Sequence, residues 1–397
     1  MLKGKHVLLG VTGGIAAYKA ANLASLLVKC GAQVHVVMTE NATQFITPLT
    51  FETLTGRRCI VDTFERNFTF EVEHISLAQK ADIALVAPAT ANVIAKLAAG
   101  LADDMLTTTL LACRCPCVVA PAMNTAMYQN PVTARNLKTL EELGFLLVPP
   151  AVGRLACGDE GPGKLPEETV LMEHLRKALS PQDLRGKQIL VTAGPTQEAL
   201  DPVRFITNHS SGKMGYAIAR CAALRGADVT LVSGPTALPV PAFVTPVPVV
   251  TARDMFEAVT ALSERQDIII MAAAVGDFRP VGVAEEKIKK AHGQGVQLQL
   301  TENPDILQWL GAHKSRGQII CGFAMETQNL VDNAREKLRR KQIDLIAAND
   351  LREAGAGFQV DTNRITIITQ NEMLKLGLLS KEETAQKLLD YMLGQCP

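Results

Sequence analysis

The stretch Val191–Gly215, VTAGPTQEALDPVRFITNHSSGKMG, decides the fold of this chain. It continues the apolar run Ile189–Gly194, which predicts a buried strand that ends in a glycine turn and opens a nucleotide-binding β-α-β unit. Connections from strand to helix in α/β folds usually have about 2–6 residues, and longer ones are usually functional. This connection is long and polar, and it follows the carboxyl end of a strand, where such sheets bind ligands. Its candidate site residues are Arg204, Asn208, His209, Ser210, Ser211 and Lys213.

A strand of the same kind, Val7–Gly14 with the sequence VLLGVTGG, begins the chain. Strand and helix patterns alternate after each of these two starts, which predicts parallel sheets with helices on both faces. The segment Ser180–Lys187, which contains a proline and a glycine, separates the two series. We therefore expect an α/β protein of two doubly wound, Rossmann-like domains, residues 1–182 and residues 183–397.

The composition narrows the classes of function. Lys+Arg and Asp+Glu both number 40, so no net charge attracts nucleic acid or an anionic membrane. The first residues lack the long apolar run of a signal peptide, and no apolar run approaches the ~20 residues that span a bilayer. The nine scattered cysteines fit a reducing compartment better than a disulfide framework. We expect a cytoplasmic protein that acts on small molecules, with no nucleic-acid or membrane partner.

Three of the cysteines, Cys113, Cys115 and Cys117, alternate along the chain and are expected on one face of a short strand. A zinc site would need a fourth ligand at a suitable spacing, and the sequence offers none. Because free cysteines are commonly buried, we interpret these residues as buried strand thiols.

A glycine turn, Gly10–Ile15, follows the first strand but lacks the G-x-G-x-x-G spacing of a dinucleotide site. The next helix would offer backbone N–H groups to an anion, so a phosphate site and a plain tight turn both remain open. Thr39, Thr90 and Asn92 follow successive predicted strands and border one crevice, which favours a bound mononucleotide. No acidic residue is placed to bind a ribose 2′-hydroxyl, which argues against NAD.

Three other residues of the first half carry reactive side chains, and each has a structural alternative. His74 could be a capped surface histidine, and Asn124 could form an Asx turn after its strand. Cys157 could be merely exposed, but a thiol with a pKa near ~8.5 is mostly protonated at neutral pH and can donate a proton. Its segment, Pro149–Pro166, is rich in glycine and proline, so we expect a mobile flap with no regular element.

Lysines and polar residues at strand ends gather in the second half. The lysines of residues 287–290 could be only a solvated face, and Lys337 and Lys341 lie four residues apart on one side of a predicted helix, where they could serve solubility. Their convergence with the strand-end loops at Asp277 and at Asn303–Asp305 instead predicts a site for a triphosphate and its metal.

Several long motifs carry a resemblance to a known family. GVTGGIAAYK, APATANVIAKLAAGLADDMLTT, PAMNTAMY and ACGDEGPGK resemble the flavin-dependent half of the bifunctional coenzyme A biosynthesis proteins, in which phosphopantothenoylcysteine decarboxylase is fused to phosphopantothenate–cysteine ligase. TAGPTQEALDPVRFITNHSSGKMG, AAAVGDFRP, EKIKK and GFAMET resemble the ligase half. The resemblance covers nearly the whole chain. Tyr128, where many relatives have tryptophan, and Gly276, where alanine is common, are small departures.

For the first domain the resemblance implies a flavodoxin-like flavoprotein fold and an FMN-dependent decarboxylase. Asn124 would hold the substrate carboxylate, His74 would orient or deprotonate the substrate, and Cys157 would protonate an ene-thiolate. The residues that the resemblance assigns to FMN are Gly13, Gly14, Ile15, Thr39, Thr90, Asn92 and Ala122.

For the second domain the resemblance implies a nucleotide-binding ligase fold. CTP and Mg²⁺ would convert 4′-phosphopantothenate to an acyl-cytidylate that cysteine attacks, and Asn208 would stabilise it; the metal ligands are not identified. The resemblance also implies a homo-oligomer. The residues that it and the strand-end pattern assign to CTP are Ala273, Asp277, Lys287, Asn303, Pro304, Asp305, Ile306, Phe323, Lys337 and Lys341.

Two other functions are open at this point. An oxidoreductase with two Rossmann domains would explain the sheet pattern, but not the stretch Asn208–Gly215 or the missing dinucleotide fingerprint. A flavin-binding regulatory subunit would keep the fold for partner contacts alone. Such a subunit is expected to lose its reactive residues, whereas His74, Asn124 and Cys157 are all present.

Overall fold

The computed structural model describes residues 2–64, 72–156, 158–289, 296–326, 330–350 and 361–394. Cys157 and Lys290 therefore lie outside the described residues. The chain forms two compact units, Met1–Ser180 and Pro181–Pro397. Within the described ranges, no helix combines the length and the apolar character that crossing a membrane requires.

The first unit is a doubly wound α/β domain, as the sequence predicted. Its strands are β1 (His6–Val11), β2 (Gln33–Met38), β3 (Ile83–Ala89), β4 (Cys117–Pro121), β5 (Leu146–Leu147), β6 (Ala151–Arg154) and β7 (Glu160–Lys164). Its α-helices are α1 (Lys19–Lys29), α2 (Pro48–Thr55), α3 (Glu73–Lys80), α4 (Ala91–Ala99), α5 (Met105–Ala112), α6 (Thr125–Tyr128), α7 (Pro131–Glu142) and α8 (Glu168–Leu179). The five parallel strands lie in the order β2-β1-β3-β4-β5, so the direction of winding reverses between β1 and β3.

Apolar cores lie on both faces of this sheet. Leu9 and Leu85 belong to one buried cluster, whereas their neighbours Leu8 and Val86 belong to the other. β3 is buried at every position. Because a parallel strand that is covered on both faces needs a continuous apolar run, the pattern of β3 was recognisable in the sequence.

The glycine-rich segment Pro149–Pro166 contains two regular strands, contrary to the sequence prediction. β6 and β7 pair in antiparallel register and form a two-stranded ribbon. The glycines let this ribbon lie directly on the loop after β4. Gly163 has φ +142°, and a Cβ placed there would come within 2.2 Å of the carbonyl oxygen of Met123. The absence of side chains, which suggested irregular structure, is what allows the close approach.

The cysteine cluster differs from its prediction. Cys117 begins β4, but Cys113 caps the end of α5 and Cys115 lies between them. All three side chains are half-buried, and burial raises the pKa of the Cys117 thiol to about 12. The interpretation as thiols of one strand is therefore right for Cys117 alone.

The second unit repeats the doubly wound plan. Its strands are β8 (Gln188–Ala193), β9 (Gln197–Ala199), β10 (Phe205–Thr207), β11 (Asp228–Ser233), β12 (Val244–Pro248), β13 (Ile268–Met271), β14 (Phe278–Pro280), β15 (Leu300–Glu302), β16 (Ile319–Glu326), β17 (Leu345–Asp350), β18 (Thr362–Asn363), β19 (Ile365–Ile368), β20 (Met373–Lys375) and β21 (Leu379–Ser380). Its helices are α9 (Lys213–Leu224), α10 (Ala252–Ser263), α11 (Ile306–Ala312), α12 (Leu330–Lys341) and α13 (Lys381–Leu393). The main sheet has the order β12-β11-β8-β13-β16-β17-β19-β20, with the reversal between β8 and β13.

The sequence did not predict several short elements of this unit. β12 pairs in parallel with β11 although it contains Pro246 and Pro248. β12 is an edge strand of the sheet. Proline is tolerated there because one side of an edge strand has no neighbouring strand to which backbone N–H groups must donate. The long connection after β8 folds into a hairpin of β9 and β10, and β14 pairs with β15 in a second ribbon.

A buried arginine ties the beginning of the second unit to its last helix. The Arg225 side chain is 5% exposed, and it donates to Asp183 at 2.6 Å and to Asp390 on α13 at 2.7 Å. Its hydrogen bonds and positive charge hold the pKa of the Asp183 carboxyl below its ordinary value. A charge of this kind is stable in the interior only with its partners in place.

Asp183→Asn is expected to destabilise the second unit at pH 7 by about 1 kcal/mol, a value between exposed and buried ion pairs. A lowered carboxyl pKa stabilises the fold above the unfolded value of about 3.9, and this stabilisation is lost as the pH falls through the folded value. The Asp183→Asn variant and the unaltered protein should therefore become equally stable in acid. Urea unfolding followed by the fluorescence of Trp309, the single tryptophan, measures the difference; equal stabilities at pH 7 would contradict it.

Candidate active sites

The reversal of the first sheet opens a crevice between the carboxyl ends of β1 and β3. Thr12, buried directly after β1, crosses it. Its Oγ1 donates to the carbonyl oxygen of Pro88 at 2.7 Å and accepts from the backbone N–H of Thr90 at 3.0 Å. One hydroxyl therefore joins the two strand ends at the place where doubly wound sheets bind ligands.

The glycine turn lies at this crevice. A Cβ on Gly13 would come within 2.4 Å of the Asn41 side chain, so only glycine fits the turn. Ile15 follows with its side chain 61% exposed. Thr39, after β2, is buried, and its Oγ1 has no hydrogen-bond partner among the described residues. A buried hydroxyl without a partner is costly, so it indicates a polar ligand atom at this position.

The other predicted cofactor residues follow β3 and β4. Thr90 caps α4 through its Oγ1, which accepts from Val93 N at 3.4 Å, and Asn92 is exposed in the first turn of this helix. Ala122 is buried, and its N–H donates to Ala89 at 3.0 Å. The structure thus places the residues assigned to FMN at the carboxyl ends of β1, β2, β3 and β4.

The Asn124 side chain contacts both the start of α6 and the residue before β7. Its Oδ1 accepts from Ala126 N at 2.8 Å, which is the contact of the Asx turn that the structural alternative predicted and which also caps α6. Its Nδ2 donates to Asp159 Oδ2 at 2.8 Å, and Asp159 immediately precedes β7. The second contact goes beyond a cap, because it fixes the amide of Asn124 relative to the β6–β7 ribbon. Cys157 belongs to the same connection but is not described.

His74 is half-buried at the second position of α3. It is not part of the contact between Asn124 and Asp159. α3 leads into the amino end of β3, and a crossover helix runs antiparallel to the strand that follows it. The start of α3 therefore points towards the carboxyl edge of the sheet, which carries the other predicted residues.

In the second unit, a threonine hydroxyl again joins the carboxyl ends of the two strands at the reversal. Thr192, buried near the end of β8, accepts from the backbone N–H of Ala273 at 3.1 Å. Ala273 follows β13, the strand across the reversal. The carboxyl ends of β8 and β13 are thus joined by a threonine hydroxyl, as those of β1 and β3 are.

Two adjoining cavities, of about 560 Å³ and 510 Å³, open at this crevice. They share Ala273, Val275, Asp277 and Phe323 as a common wall. The larger cavity is also lined by Asn303, Pro304, Asp305, Ile306 and Lys341, and the smaller one by Asn208 and Lys337. The structure therefore brings together every residue that was assigned to CTP except Lys287, which lines neither cavity and is exposed.

Asn208 is oriented by the loop after β13. Its Nδ2 donates to the carbonyl oxygen of Val275 at 3.0 Å. The loop itself is held by Asn303, whose Nδ2 donates to Gly276 O at 2.8 Å and whose N–H donates to Asp277 O at 2.8 Å. The predicted reactive amide and the predicted nucleotide residues are therefore parts of one hydrogen-bonded group.

Lys337 and Lys341 were expected to face one ligand from the same side of a helix. Both lie on α12, but Lys337 lines the smaller cavity and Lys341 the larger one. Lys341 is 15% exposed and pairs with Asp305 at 2.9 Å. Asp305 in turn caps α11 by accepting from Gln308 N at 3.0 Å. The positive charge of Lys341 is thus partly neutralised by the protein itself.

The sequence did not assign three polar residues of the smaller cavity. Asn349, Asn363 and Lys381 line it together with Lys213, which the sequence had already indicated. Lys381 is buried, and burial together with the charge of Lys213 lowers its pKa. Asn349 is also buried, and its Oδ1 has no hydrogen-bond partner in the described part of the chain. These residues come from distant elements, so no local spacing could reveal them.

Metal binding was expected beside the triphosphate. Among the described residues, no group of three or more His, Cys, Asp or Glu side chains is placed to hold a metal ion. Asp277, which lines both cavities, is the carboxylate that could share an ion with a bound nucleotide. Mg²⁺ typically uses one or two carboxylates, substrate phosphates and water.

Comparison with known proteins identifies the family. A family model described as "Flavoprotein" matches residues 1–180, and one described as "DNA/pantothenate metabolism flavoprotein C-terminal domain" matches residues 184–395. The coenzyme A biosynthesis bifunctional protein CoaBC of Vibrio cholerae is 47% identical over 389 residues, which are 98% of this chain and 98% of that protein. The chain belongs to the CoaBC family.

A second CoaBC protein and a structure of a CoaBC domain are also similar to this chain. That of Bacillus subtilis is 47% identical over 394 residues, covering 98% of this chain and 97% of the relative. A crystal structure of a CoaBC C-terminal domain is 44% identical, covers 54% of this chain and 97% of that chain, and has a TM-score of 0.46. Membership confirms the resemblance in the sequence: the chain is a bifunctional enzyme of coenzyme A biosynthesis, with a phosphopantothenoylcysteine decarboxylase half and a phosphopantothenate–cysteine ligase half. The oxidoreductase and regulatory-subunit interpretations are thereby wrong.

Proposed function

We propose that the second half joins 4′-phosphopantothenate to cysteine with CTP, and that the first half decarboxylates the product to 4′-phosphopantetheine with FMN. The observation that carries the proposal is the common wall of the two cavities. Asn208 and Lys337 line one cavity, and five other residues assigned to CTP line the other: Asn303, Pro304, Asp305, Ile306 and Lys341. This arrangement suits a reaction in which a carboxylate meets a nucleotide.

The ligase chemistry follows from the need to activate a carboxylate. The carboxylate attacks the α-phosphorus of CTP and pyrophosphate leaves; the amine of cysteine then attacks the acyl carbon and CMP leaves. Asn208 supplies an N–H donor to the oxygen on which negative charge develops. Val275 holds the Asn208 amide in place before the substrates bind. Mg²⁺ would arrive with the triphosphate and use Asp277 as its protein ligand.

The first half fits FMN. The unpartnered Oγ1 of Thr39, the close-packed turn at Gly13 and the start of α4 at Thr90 offer a polar, backbone-lined cradle. FMN would supply an electron sink that converts the substrate thiol to a thioaldehyde, so that the carboxylate becomes β to C=S and can leave, and would return the electrons afterwards.

The chain's own residues hold the substrate and move protons. The Asn124 amide binds the carboxylate that is lost, and Asp159 makes its orientation depend on the β6–β7 ribbon. His74 orients or deprotonates the substrate from the start of α3. Cys157 donates the proton that completes the product. A homo-oligomer is also proposed; the exposed Ile15 and Tyr18 beside the crevice support it.

Incubation of the purified protein with 4′-phosphopantothenate, cysteine and CTP tests the proposal. Pyrophosphate should appear with CTP, and carbon dioxide should follow with an equal yield. Without CTP, added phosphopantothenoylcysteine should still release carbon dioxide. The protein should be yellow and should bleach with dithionite. Pyrophosphate release that does not depend on phosphopantothenate would contradict the ligase assignment, and a colourless, active protein would contradict FMN.

Lys337→Gln is expected to raise the KM for CTP about tenfold or more and to change the KM for cysteine little. A charge-assisted contact contributes about 1.5–3 kcal/mol, and 1.4 kcal/mol is one factor of ten. Lys341→Gln should also raise the KM for CTP, because it removes a cation and leaves the Asp305 carboxylate unpaired in the cavity. Steady-state kinetics with each substrate varied in turn measure both effects.

Arg339→Gln provides the matched control. Arg339 is exposed on the same helix and lines neither cavity. Its substitution removes the same charge from α12 and should leave both constants unchanged. If Lys337→Gln and Lys341→Gln behave like Arg339→Gln, α12 does not belong to the nucleotide site.

A further inference from the structure

Asp201 is a buried carboxylate in the turn between β9 and β10. Its side chain is fully shielded from solvent. Its Oδ1 accepts from the backbone N–H groups of Val203 at 2.8 Å and Arg204 at 2.7 Å, which closes the turn. Neither the sequence pattern nor the resemblance assigned it a role.

The second oxygen of Asp201 reaches a distant part of the chain. Oδ2 accepts from the backbone N–H of Ile288 at 3.1 Å. Arg204 holds the other side of the same residue, because its Nη1 donates to the carbonyl oxygen of Ile288 at 3.0 Å and also to Asp201 Oδ2 at 3.3 Å. Both backbone groups of Ile288 are therefore bonded to one aspartate–arginine pair.

A third contact fixes the same segment. The N–H of Ala284 donates to the carbonyl oxygen of Leu200 at 3.0 Å, so residues 284–288 are attached to the β9–β10 turn at both ends. Lys287 lies between the two attachments with its side chain exposed. The segment has little apolar burial of its own, so these hydrogen bonds account for its position.

The β9–β10 hairpin also leads into the ligase site. β10 ends at Thr207, whose Oγ1 donates to Thr196 O at 2.7 Å, and Asn208 follows directly. The segment that Asp201 holds continues from the cavity wall at Val275 and Asp277 through β14. The β9–β10 hairpin therefore holds the Lys287 segment at its turn and leads directly into Asn208 at its end.

The charge of Asp201 is maintained despite its surroundings. Burial acts to raise the pKa of this carboxyl, but the N–H donors of Val203, Ile288 and Arg204 and the Arg204 charge lower it overall. The carboxylate is therefore ionised at neutral pH, when its acceptor oxygens are strongest.

We propose that Asp201 is a positioning residue of the ligase: with Arg204 it fixes the segment that carries Lys287 relative to Asn208. This inference depends on the proposed function in one respect, which is the role of Lys287 in binding CTP. Asp201 itself touches no substrate, and its effect on the reaction is transmitted through the backbone of Ile288.

Asp201→Asn tests this position with little change of shape. The asparagine side chain has one acceptor oxygen where the aspartate carboxylate has two. Its NH₂ group would face one of the backbone N–H groups that now donate to Asp201. In the FMN-loaded, full-length protein, hydrogen exchange of residues 284–289 should accelerate about tenfold or more, since a lost charge-assisted bond is worth at least that factor. Exchange in β8 and β16 should not change. The KM for CTP should rise as in Lys287→Gln, while decarboxylation stays unchanged.

Two further variants keep the test decisive. Asp228→Asn, at an exposed aspartate of the same unit, should change neither exchange nor kinetics. Arg204→Met, in a side chain that is 43% exposed, removes the bond to Ile288 O without a buried cavity and should accelerate the same exchange even if Asp201→Asn fails to fold.

The outcomes separate the inference from the function beneath it. Unchanged exchange of residues 284–289 in a folded Asp201→Asn protein overturns the inference, as does faster exchange with unaltered ligase kinetics when Lys287→Gln does raise the KM for CTP. If Lys287→Gln leaves the KM for CTP unchanged while Asp201→Asn accelerates exchange, the nucleotide role of Lys287 is wrong, and the positioning of its segment stands.

Discussion

Asn208→Asp is expected to lower the rate of ligation by about 10²–10³, the usual loss when one oxyanion donor is removed. The structure adds a second reason. Asn208 Nδ2 donates to the carbonyl oxygen of Val275 at 3.0 Å, and a carboxylate in its place would face that oxygen without a hydrogen to share. The side chain would turn away, and its charge would oppose the phosphate of the nucleotide. Pyrophosphate release with all three substrates present measures the loss.

Asn124→Asp is the reciprocal control for this result. It places a carboxylate against Asp159 and should abolish decarboxylation while ligation continues. Asn208→Asp should in turn retain FMN and decarboxylate added phosphopantothenoylcysteine normally. Loss of both activities from either single substitution would show that the two units do not act independently.

Cys157→Ser is expected to stop the decarboxylase after carbon dioxide has left. A serine hydroxyl has a far higher pKa than a thiol, so it is a much poorer acid for the final protonation. The oxidised, decarboxylated ene-thiol should accumulate, with little phosphopantetheine. Mass spectrometry distinguishes the two compounds, because they differ by two hydrogen atoms.

Cys115→Ser is the matched control for the thiol. Cys115 is half-buried in the same unit, outside the residues predicted to touch the substrate. Its substitution should leave the product distribution unchanged. Full turnover by Cys157→Ser would remove this thiol from the mechanism, and accumulation of the ene-thiol in both variants would point to a loss of structure instead.

The sequence was sufficient where a signal is local. The sequence predicted a helix over Leu330–Lys341, which is α12 with its observed bounds, and a strand over Ile83–Ala87, which is β3 without its last two residues. The position of Thr90 at a strand end was also predictable, because the carboxyl ends of parallel strands always meet at one edge. Asn303 instead follows β15, a strand of an antiparallel ribbon.

The sequence was insufficient where contacts join distant segments. The glycines of Pro149–Pro166 predicted irregular structure, although the missing side chain of Gly163 is what allows the close approach of the Met123 carbonyl oxygen. Lys381 begins a helix far along the chain, and only the packing of α13 brings it to the cavity that holds Asn208. Asp201 had no pattern at all, since its partner Ile288 is fixed by tertiary structure.

The threonines after β1 and near the end of β8 have a consequence for the design of both catalysts. In each unit a side-chain hydroxyl, from Thr12 in one and Thr192 in the other, joins the two strand ends at the binding crevice in addition to the ladder that pairs the strands. The geometry of each pocket can therefore be tuned by a residue that touches no reactant. Two unrelated chemistries could diverge on one plan because the adjustable part of the scaffold and the reacting groups are encoded separately.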